Sequence, residues 1–360
     1  MVKALVAHEP ESKPEVVEVE LPVLGPDDLR IGLAAAGVCH SDLSMTNGTV
    51  TPKFPVVLGH EASGVVLETG SAVDDIEVGA PVVLNWAAPC RSCWFCLNAQ
   101  PWLCRRVEKT VSTPGGKLAD GTPLNLALAV GAFAEETVVP RWGVVPLPAG
   151  IPADVAALMG CAVLTGCGAV RNSARVRSGE SVAIFGLGGI GLSALIAARM
   201  AGAGPIVAVD INPEKEATAR ALGATDFLLY DDSLPKTIRG LTERRGVDHA
   251  FECVGRPETI HTAWSSVRRG GKCFVVGVGR RDQAVEISAM ELYHYARELS
   301  GCALGSSDPD RDIPMYCSMI GSGSLDLQPL ISHRTDLDGI NDAFDRMRAG
   351  EGLRTVVEFK

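Results

Sequence analysis

This 360-residue chain has no excess of basic residues, because 33 Lys and Arg stand against 43 Asp and Glu, 33 − 43 = −10. Proteins that bind nucleic acid or anionic membranes generally present a positive surface. We therefore expect neither kind of partner. The chain also lacks internal repeats and low-complexity linkers, the patterns typical of solenoids and disordered segments.

Long apolar runs are missing as well. Residues 4–7 form an apolar stretch shorter than the roughly 7 to 15 residues of a signal peptide's hydrophobic region. Residues 156–170 are interrupted by glycines and are shorter than the roughly 20 residues of a membrane span. We therefore expect a cytoplasmic protein. The hydrophobic content of 46% is enough for two buried cores in an enzyme of this length.

Two kinds of secondary-structure pattern divide the chain. Residues 2–148 read as short strands separated by turns, for example the alternating EVVEVELP at 15–22, which predicts a mostly β half. From residue 181 short apolar strands alternate with helical segments. That alternation predicts a parallel, doubly wound sheet, and hence an α/β protein.

The last part of the chain departs from the alternating pattern. Beyond about residue 303 the elements are mixed, and TVVEF at 355–359 reads as a final strand. We expect this segment to rejoin the first domain. The predicted domains are residues 1–162 with 304–360, and residues 163–303.

Four cysteines, Cys90, Cys93, Cys96 and Cys104, have the spacing C-x2-C-x2-C-x7-C. Zinc takes four thiolates in a tetrahedron, and two-residue spacers let successive thiolates surround one ion. The alternatives are two disulfides or unrelated core cysteines. Without a secretory signal the metal is favoured, because reducing compartments disfavour disulfides. The segment 90–104 is thus the predicted structural zinc lobe.

A glycine-rich motif, GLGGIG at residues 186–191, follows a predicted strand and precedes a predicted helix. In this context the pattern G-x-G-x-x-G predicts a dinucleotide site, with the pyrophosphate at the helix N-terminus. Asp210 ends the next predicted strand, where a carboxylate accepts the ribose hydroxyls and repels a 2′-phosphate. The sequence therefore favours NAD(H) over NADP(H). A glycine-rich turn without a ligand is the alternative.

Three further segments, Cys39-His40-Ser41-Asp42, Gly59-His60-Glu61 and Gly160-Cys161, lie outside the zinc lobe. With them, the chain resembles the zinc-dependent medium-chain alcohol dehydrogenases over essentially its whole length. The resemblance implies a mostly β, chaperonin-like catalytic domain and a Rossmann NAD-binding domain.

The resemblance also implies roles for individual residues. Cys39, His60 and Cys161 correspond to the ligands of a catalytic zinc, which makes two Zn²⁺ per subunit. Glu61 corresponds to a carboxylate that approaches the metal, and Asp42 to the acid that orients His60. Ser41 corresponds to the hydroxyl that accepts the alcohol proton.

The resemblance extends to cofactor and substrate contacts. The implied cofactor-binding residues are His40, Thr165, Gly186, Gly188, Gly189, Ile190, Gly191, Asp210, Lys215, Val276 and Arg354. The implied substrate pocket contains Val50, Trp86, Ala127 and Leu128. In two places the chain departs from many relatives: His40 replaces an arginine, and Ser44 replaces a relay histidine.

We therefore expect an enzyme that transfers a hydride between NAD(H) and a primary alcohol or aldehyde with an apolar or aromatic tail. A formaldehyde dehydrogenase acting on a mycothiol or glutathione adduct is the second hypothesis. A non-catalytic NAD-binding redox sensor is the third, although a sensor needs no open zinc site. We also expect a homodimer, because open edge strands of the sheet can pair across a two-fold axis.

Overall fold

The computed structural model describes residues 1–107 and 110–360. The chain divides into two compact units, Met1–Cys161 with Asp308–Lys360, and Ala162–Ser307. The boundaries expected from the sequence, after residues 162 and 303, lie one and four residues from these divisions.

The first unit is built mainly from strands. Its strands before residue 150 are β1 Val2–Ala7, β2 Glu15–Glu20, β3 Asp28–Gly37, β4 Val56–Val57, β5 Glu61–Thr69, β6 Pro81–Asn85, β7 Ser112–Leu118, β8 Pro123–Ala127, β9 Glu136–Pro140 and β10 Val144–Pro146. The helices in this stretch are short: α1 His40–Thr46, α2 Trp94–Leu97 and α3 Ala153–Leu158. The strands β1, β2, β7, β8 and β4 form a closed barrel.

The second unit alternates strands with helices, as the sequence predicts. Its strands are β11 Val182–Phe185, β12 Ile206–Asp210, β13 Asp226–Leu229, β14 Val247–Glu252, β15 Val267–Val275 and β16 Glu298–Gly301. Its helices are α4 Leu164–Gly168, α5 Gly189–Met200, α6 Glu216–Leu222, α7 Leu234–Leu241, α8 Pro257–Ser266 and α9 Ala289–Tyr295. Neighbouring strands run parallel in the order β13-β12-β11-β14-β15-β16. This is the strand order of a doubly wound dinucleotide-binding sheet.

The C-terminal segment, Asp308–Lys360, belongs to the first unit. It contains α10 Pro309–Gly321, β17 Ile331–Thr335, α11 Ile340–Arg348 and β18 Arg354–Glu358. Strand β18 pairs antiparallel with β3 and completes a sheet of order β10-β6-β5-β3-β18-β17, in which β9 also pairs with β3. The predicted α/β fold class, with one mostly β part and one parallel-sheet part, is confirmed.

Each unit has its own apolar core. In the first unit Phe133 and Phe344 are almost fully buried, and their rings meet edge to face with centroids 6.3 Å apart. In the second unit Trp264 and Phe251 are fully buried. Burying a large apolar side chain contributes about 1.5 to 3 kcal/mol to the free energy of unfolding, so these cores hold the loops that carry the polar sites.

One helical stretch, Ala153–Ala174, is long and apolar enough to cross a membrane by length and composition. Its most apolar window is 89% buried within the protein. That burial is typical of the core helix of a globular protein. The stretch contains two π-helical segments, Met159–Val163 and Ala169–Ala174.

Candidate functional site

A buried cluster of four potential metal ligands lies in the first unit. The ligand atoms of Cys39, His60, Glu61 and Cys161 all lie within 4.8 Å of one another. Cys39 follows the end of β3 and precedes α1, whereas His60 and Glu61 stand at the start of β5. Cys161 lies in the first π-helical segment, a kind of irregularity often found at functional sites.

The side chain of Asp42 organises this cluster. It is completely buried and accepts hydrogen bonds from the backbone N–H of Cys39 and of Gly59, each at 3.1 Å. His60 Nδ1 lies 2.9 Å from Asp42 Oδ1. Because a carboxylate only accepts, Nδ1 carries the proton and Nε2 presents its lone pair.

The donor set fits a metal ion. His60 Nε2 is buried and has no hydrogen-bond partner among the described residues, and a buried imidazole nitrogen without a partner is unfavourable unless something binds it. The hydrogen bond with Cys161 holds the pKa of Cys39 well below its usual value, against the effect of burial. The same hydrogen bond raises the pKa of Cys161. Two sulfurs and one imidazole are the ligands that zinc prefers in catalytic sites.

Glu61 forms a buried ion pair with Arg354 from β18. Glu61 Oε2 contacts Arg354 Nη2, and both side chains are almost fully buried. Burial raises the pKa of Glu61 to about 7, although the positive charge of Arg354 acts in the opposite direction. Glu61 Oε1 has no hydrogen-bond partner among the described residues. One oxygen of this carboxylate is therefore free to approach the ligand cluster.

Ser41 lies next to the cluster on α1. Its Oγ is 3.9 Å from Cys39 Sγ, and the side chain is partly buried. The neighbouring His40 is exposed. A hydroxyl at this place can exchange a proton with a molecule bound beside the sulfur.

The second cluster contains the four lobe cysteines. Their sulfur atoms lie within 4.8 Å of one another, with Cys90 to Cys96 at 4.0 Å, Cys93 to Cys96 at 3.6 Å and Cys93 to Cys104 at 3.9 Å. Four sulfurs bound to zinc at about 2.3 Å would lie about 3.8 Å apart. A hydrogen bond from the Ser92 hydroxyl lowers the pKa of Cys90 to about 5. The lobe can therefore hold one zinc ion between four thiolates.

The glycine motif joins β11 to α5 in the second unit. Gly186 has a φ of 88°, which favours glycine. A Cβ atom on Gly191 would lie 1.9 Å from the carbonyl oxygen of Gly186, whereas a Cβ on Gly188 would meet nothing within 4 Å. The close approach at Gly191 packs the helix against the strand. Open space beside Gly188 leaves room for a phosphate at the N-terminus of α5, which begins at Gly189 and Ile190.

Asp210 stands at the end of β12 and is almost fully buried. Its Oδ2 accepts a hydrogen bond from the backbone N–H of Leu187 at 2.6 Å and lies 3.1 Å from Lys215 Nζ. Its Oδ1 accepts from the backbone N–H of Asn212. These bonds fix the carboxylate beside the glycine motif, where a ribose would be recognised.

Two family models match separate parts of the chain. The alcohol dehydrogenase GroES-like domain matches residues 25–149, and the zinc-binding dehydrogenase domain matches residues 189–320. Together these matches cover more than half of the chain. The chain belongs to the zinc-dependent medium-chain alcohol dehydrogenases.

Individual relatives of this alcohol dehydrogenase family member span its whole length. S-(hydroxymethyl)glutathione dehydrogenase from Escherichia coli O1:K1 / APEC is 36% identical, over 99% of both chains. An alcohol dehydrogenase zinc-binding domain protein from Burkholderia ambifaria has a TM-score of 0.93 at 30% identity, covering 100% of this chain and 99% of its own. Benzyl alcohol dehydrogenase from Acinetobacter calcoaceticus has a TM-score of 0.92 at 27% identity, with the same coverage.

The protein is accordingly a zinc-dependent oxidoreductase that transfers a hydride between NAD(H) and a small alcohol or aldehyde, with NAD and zinc as its cofactors. Membership in this family of enzymes argues against the hypothesis of a non-catalytic redox sensor.

The predicted substrate residues of this dehydrogenase lie together in the first unit. Val50, Trp86 and Leu128 are partly buried against the main core cluster, to which the fully buried Ala127 belongs. The ring of Trp86 meets the ring of His60 edge to face, with centroids 6.4 Å apart. Trp86 therefore lies next to the ligand cluster and packs against the apolar core of this unit.

The remaining predicted cofactor residues fall in both units. Thr165 in α4 and Val276 after β15 are buried in the second unit. Lys215 is paired with Asp210 as described. Arg354 lies in the first unit on Glu61, so it also has a structural partner that the sequence does not reveal. The contacts of these four residues with NAD stay predictions.

Sequence reasoning missed Glu252 in the second unit. This carboxylate is fully buried at the end of β14 and accepts hydrogen bonds from the backbone N–H of Val254 and Gly255 and from the Thr259 hydroxyl. Burial raises its pKa. A Cβ atom on Gly186 would lie 2.6 Å from Val254, so Glu252 holds the loop that borders the glycine motif. The sequence did contain a signal for Glu252, because it is an acidic residue at the end of a largely apolar strand.

Asp210→Gly is expected to lower kcat/KM for NAD⁺ by about 10- to 100-fold and to erode the preference over NADP⁺. Hydrogen bonds to a charged group each contribute about 1.5 to 3 kcal/mol, and the variant also removes the charge that repels a 2′-phosphate. Initial rates with both cofactors measure the effect. Asp210→Asn is the comparison variant: it removes the negative charge but keeps one acceptor oxygen, which can serve the N–H group of Leu187 or of Asn212 but not both, because the amide nitrogen only donates. A wild type that used NADP⁺ with the higher kcat/KM would contradict this assignment.

Proposed function

We propose that Cys39, His60 and Cys161 would hold the catalytic zinc, which would act on the alcohol oxygen. The observation that supports this proposal is that His60 Nε2 is buried without a hydrogen-bond partner among the described residues. It lies close to the sulfurs of Cys39 and Cys161 and to the Glu61 carboxylate. When bound there, zinc would supply a positive charge that lowers the pKa of a neighbouring alcohol. The lobe residues Cys90, Cys93, Cys96 and Cys104 hold a second, structural zinc.

Three side chains near the proposed metal site have separate roles in the reaction. Asp42 keeps the proton of His60 on Nδ1, so that Nε2 remains a ligand. Ser41 Oγ would accept the alcohol proton while passing its own hydroxyl proton to water, because Ser44 cannot act as a base near neutral pH, and the hydride would pass from the alcohol carbon to NAD⁺. Glu61 Oε1, which has no hydrogen-bond partner among the described residues, would approach the metal site while one substrate replaces another.

Most of the proposed nucleotide contacts come from residues of the second unit. Gly186, Gly188, Gly189, Ile190 and Gly191 receive the pyrophosphate at the start of α5, and Asp210 with Lys215 binds the adenosine ribose. Thr165, Val276, Arg354 and His40 contribute further contacts. His40 holds the pyrophosphate less tightly than an arginine would, because an imidazole lacks the fork of N–H donors with which an arginine binds a phosphate.

The substrate that this surface favours is a primary alcohol or aldehyde with an apolar or aromatic tail. Val50, Trp86 and Leu128 are partly buried against the same apolar core, and the Trp86 ring lies beside the His60 ring. Two candidate cations for a thiol's carboxylate are engaged elsewhere: Lys117 pairs with Glu20 at 3.1 Å, and Arg106 lies over the Trp142 ring at 4.2 Å. The apolar lining supports an aromatic substrate such as benzyl alcohol.

A thiol adduct of formaldehyde is the second candidate substrate. It is favoured by the 36% identity to an S-(hydroxymethyl)glutathione dehydrogenase. A glutathione adduct carries carboxylates, which require a basic group near the pocket mouth. Arg105, which is exposed, could supply that group.

A substrate panel separates the two candidates. We expect kcat/KM for benzyl alcohol to exceed that for ethanol by about 10- to 100-fold, because burying an aromatic ring contributes about 1.5 to 3 kcal/mol. The assay is NADH absorbance with each alcohol, and with formaldehyde plus NAD⁺ in the presence of glutathione or mycothiol. Turnover of formaldehyde that depended on one thiol and exceeded the benzyl alcohol rate would select the thiol adduct.

We also infer a cytoplasmic homodimer. Strand β16 ends the parallel sheet and all its residues are exposed, so its free edge can pair with a second copy. Large apolar side chains are exposed on β16 and on the nearby helix α9: Met290, Leu292, Tyr293 and Leu299.

Light scattering should give about 76 kDa, twice the 37.8 kDa of the chain. We expect Leu299→Asp to shift the protein towards the monomer, because the charge would be buried at the strand pairing. Leu67→Asp is the matched control, since Leu67 is similarly exposed but lies on β5 of the first unit. A wild-type monomer across the micromolar range would overturn the dimer.

A further inference from the structure

Gly37, the last residue of β3, is a glycine that the backbone does not require. It pairs with Val356 of β18 in a regular antiparallel ladder. Its φ lies outside the left-handed region, so an alanine could adopt the same conformation. The reason for a glycine must therefore lie in what surrounds the position of its missing side chain.

The Glu61–Arg354 ion pair occupies that position. A Cβ atom on Gly37 would lie 2.8 Å from Glu61 Cδ, 2.9 Å from Glu61 Oε1 and 3.1 Å from Arg354 Nη2. Carbon atoms pack at about 3.5 to 4.0 Å, so the carboxylate would have to move. All three residues are in the first unit.

The displaced carboxylate has a second place to go. Glu61 belongs to the cluster whose ligand atoms lie within 4.8 Å of one another, together with Cys39, His60 and Cys161. Its Oε1, the oxygen closest to the added Cβ, is also the oxygen without a hydrogen-bond partner. A metal cation in the cluster would attract a carboxylate that has been pushed away from Arg354.

We propose that Gly37 is a positioning residue of the catalytic zinc site: its missing side chain leaves the room in which the Glu61 carboxylate rests on Arg354, withdrawn from the fourth ligand position. The inference rests on the proposed ligation by Cys39, His60 and Cys161. Adding a methyl group at residue 37 moves the carboxylate into the position that the substrate oxygen must take.

The test uses the Co²⁺-substituted protein and imidazole as a probe of the fourth ligand position. Imidazole binding is followed by the visible absorption of the cobalt ion, which is independent of turnover. We expect Gly37→Ala to raise the Kd for imidazole by at least about tenfold. An overpacked contact typically has an energetic effect large enough to change an affinity by this factor. We also expect a changed cobalt spectrum before imidazole is added.

Gly32→Ala is the matched control in the same strand. The φ of Gly32 also lies outside the left-handed region, and its added Cβ would meet only side-chain atoms of Leu67, at 3.1 to 3.3 Å. Leu67 is 44% exposed, so it can turn away. Gly32→Ala should therefore leave both the spectrum and the imidazole affinity unchanged. A Gly37→Ala protein that matched this control would overturn the proposal.

A shorter carboxylate should rescue the site. In the Glu61→Asp background, Gly37→Ala should change imidazole affinity little, because the collision with the longer side chain is gone. If Gly37→Ala alone does not fold, recovery of folding in the Glu61→Asp background supports the collision, and failure in both backgrounds overturns it. If imidazole did not change the cobalt absorption of the wild-type protein, that result would instead contradict the proposed zinc ligation.

Discussion

Cys161→Ser is expected to lower kcat/KM for alcohol oxidation by at least about 10³-fold, equivalent to about 4 kcal/mol of transition-state stabilisation. A serine hydroxyl does not ionise near neutral pH and is a poor zinc ligand, so the proposed catalytic site would lose one of its three protein ligands. Zinc content should fall from two ions towards one per subunit. NADH binding, followed by fluorescence titration, should persist because the glycine motif lies in the other unit.

Cys167→Ser is the matched control for this variant. Cys167 is also buried, but its sulfur contacts the carbonyl oxygen of Ser193 at 3.3 Å and belongs to neither ligand cluster. A serine can donate the same hydrogen bond, so we expect full zinc content and near-normal turnover. The assignment of Cys161 fails if the two variants lose activity equally.

Cys93→Ser is expected to act mainly on stability. Structural zinc contributes directly to folding, and removing one of four thiolates leaves an incomplete site in a lobe with little apolar core, since α2 has no buried residue. A loss of about 3 kcal/mol would lower the Tm by roughly 6 to 12 °C for a unit of this size. Thermal unfolding followed by circular dichroism, with zinc analysis, measures both effects.

Comparison of Cys93→Ser with Cys161→Ser tests the division of labour between the two metal sites. Both variants should contain about one zinc ion, yet only Cys161→Ser should be inactive at temperatures where each is folded. Equal losses of Tm, or equal losses of kcat/KM at low temperature, would show that the two clusters do not have separate roles.

Features that depend on neighbours in the sequence were accessible without a structure. The lobe cysteines lie within 15 positions of one another, and the glycine motif is a single turn between a strand and a helix. Each motif carries its own geometry, since short spacers determine which ligand atoms can converge. Alternation of strands and helices likewise predicted the parallel sheet, because such connections require crossover helices.

The convergence of Cys39, His60 and Cys161 was predicted only through the family resemblance. These residues are up to 122 positions apart, 161 − 39 = 122, and spacing alone does not bring them together. The structure brings Cys161 to the other two through a π-helical segment.

Other contacts were decided by tertiary structure alone. The Glu61–Arg354 ion pair joins residues 293 positions apart, because β18 returns to pair with β3. The clearance at Gly37 exists only where that pair lies against the strand. Local patterns in the sequence thus determined the elements and the two compact motifs, because short-range geometry is set by nearby residues. The partners of Glu61 and the surroundings of Gly37 depended on how distant segments pack, which local propensity does not encode.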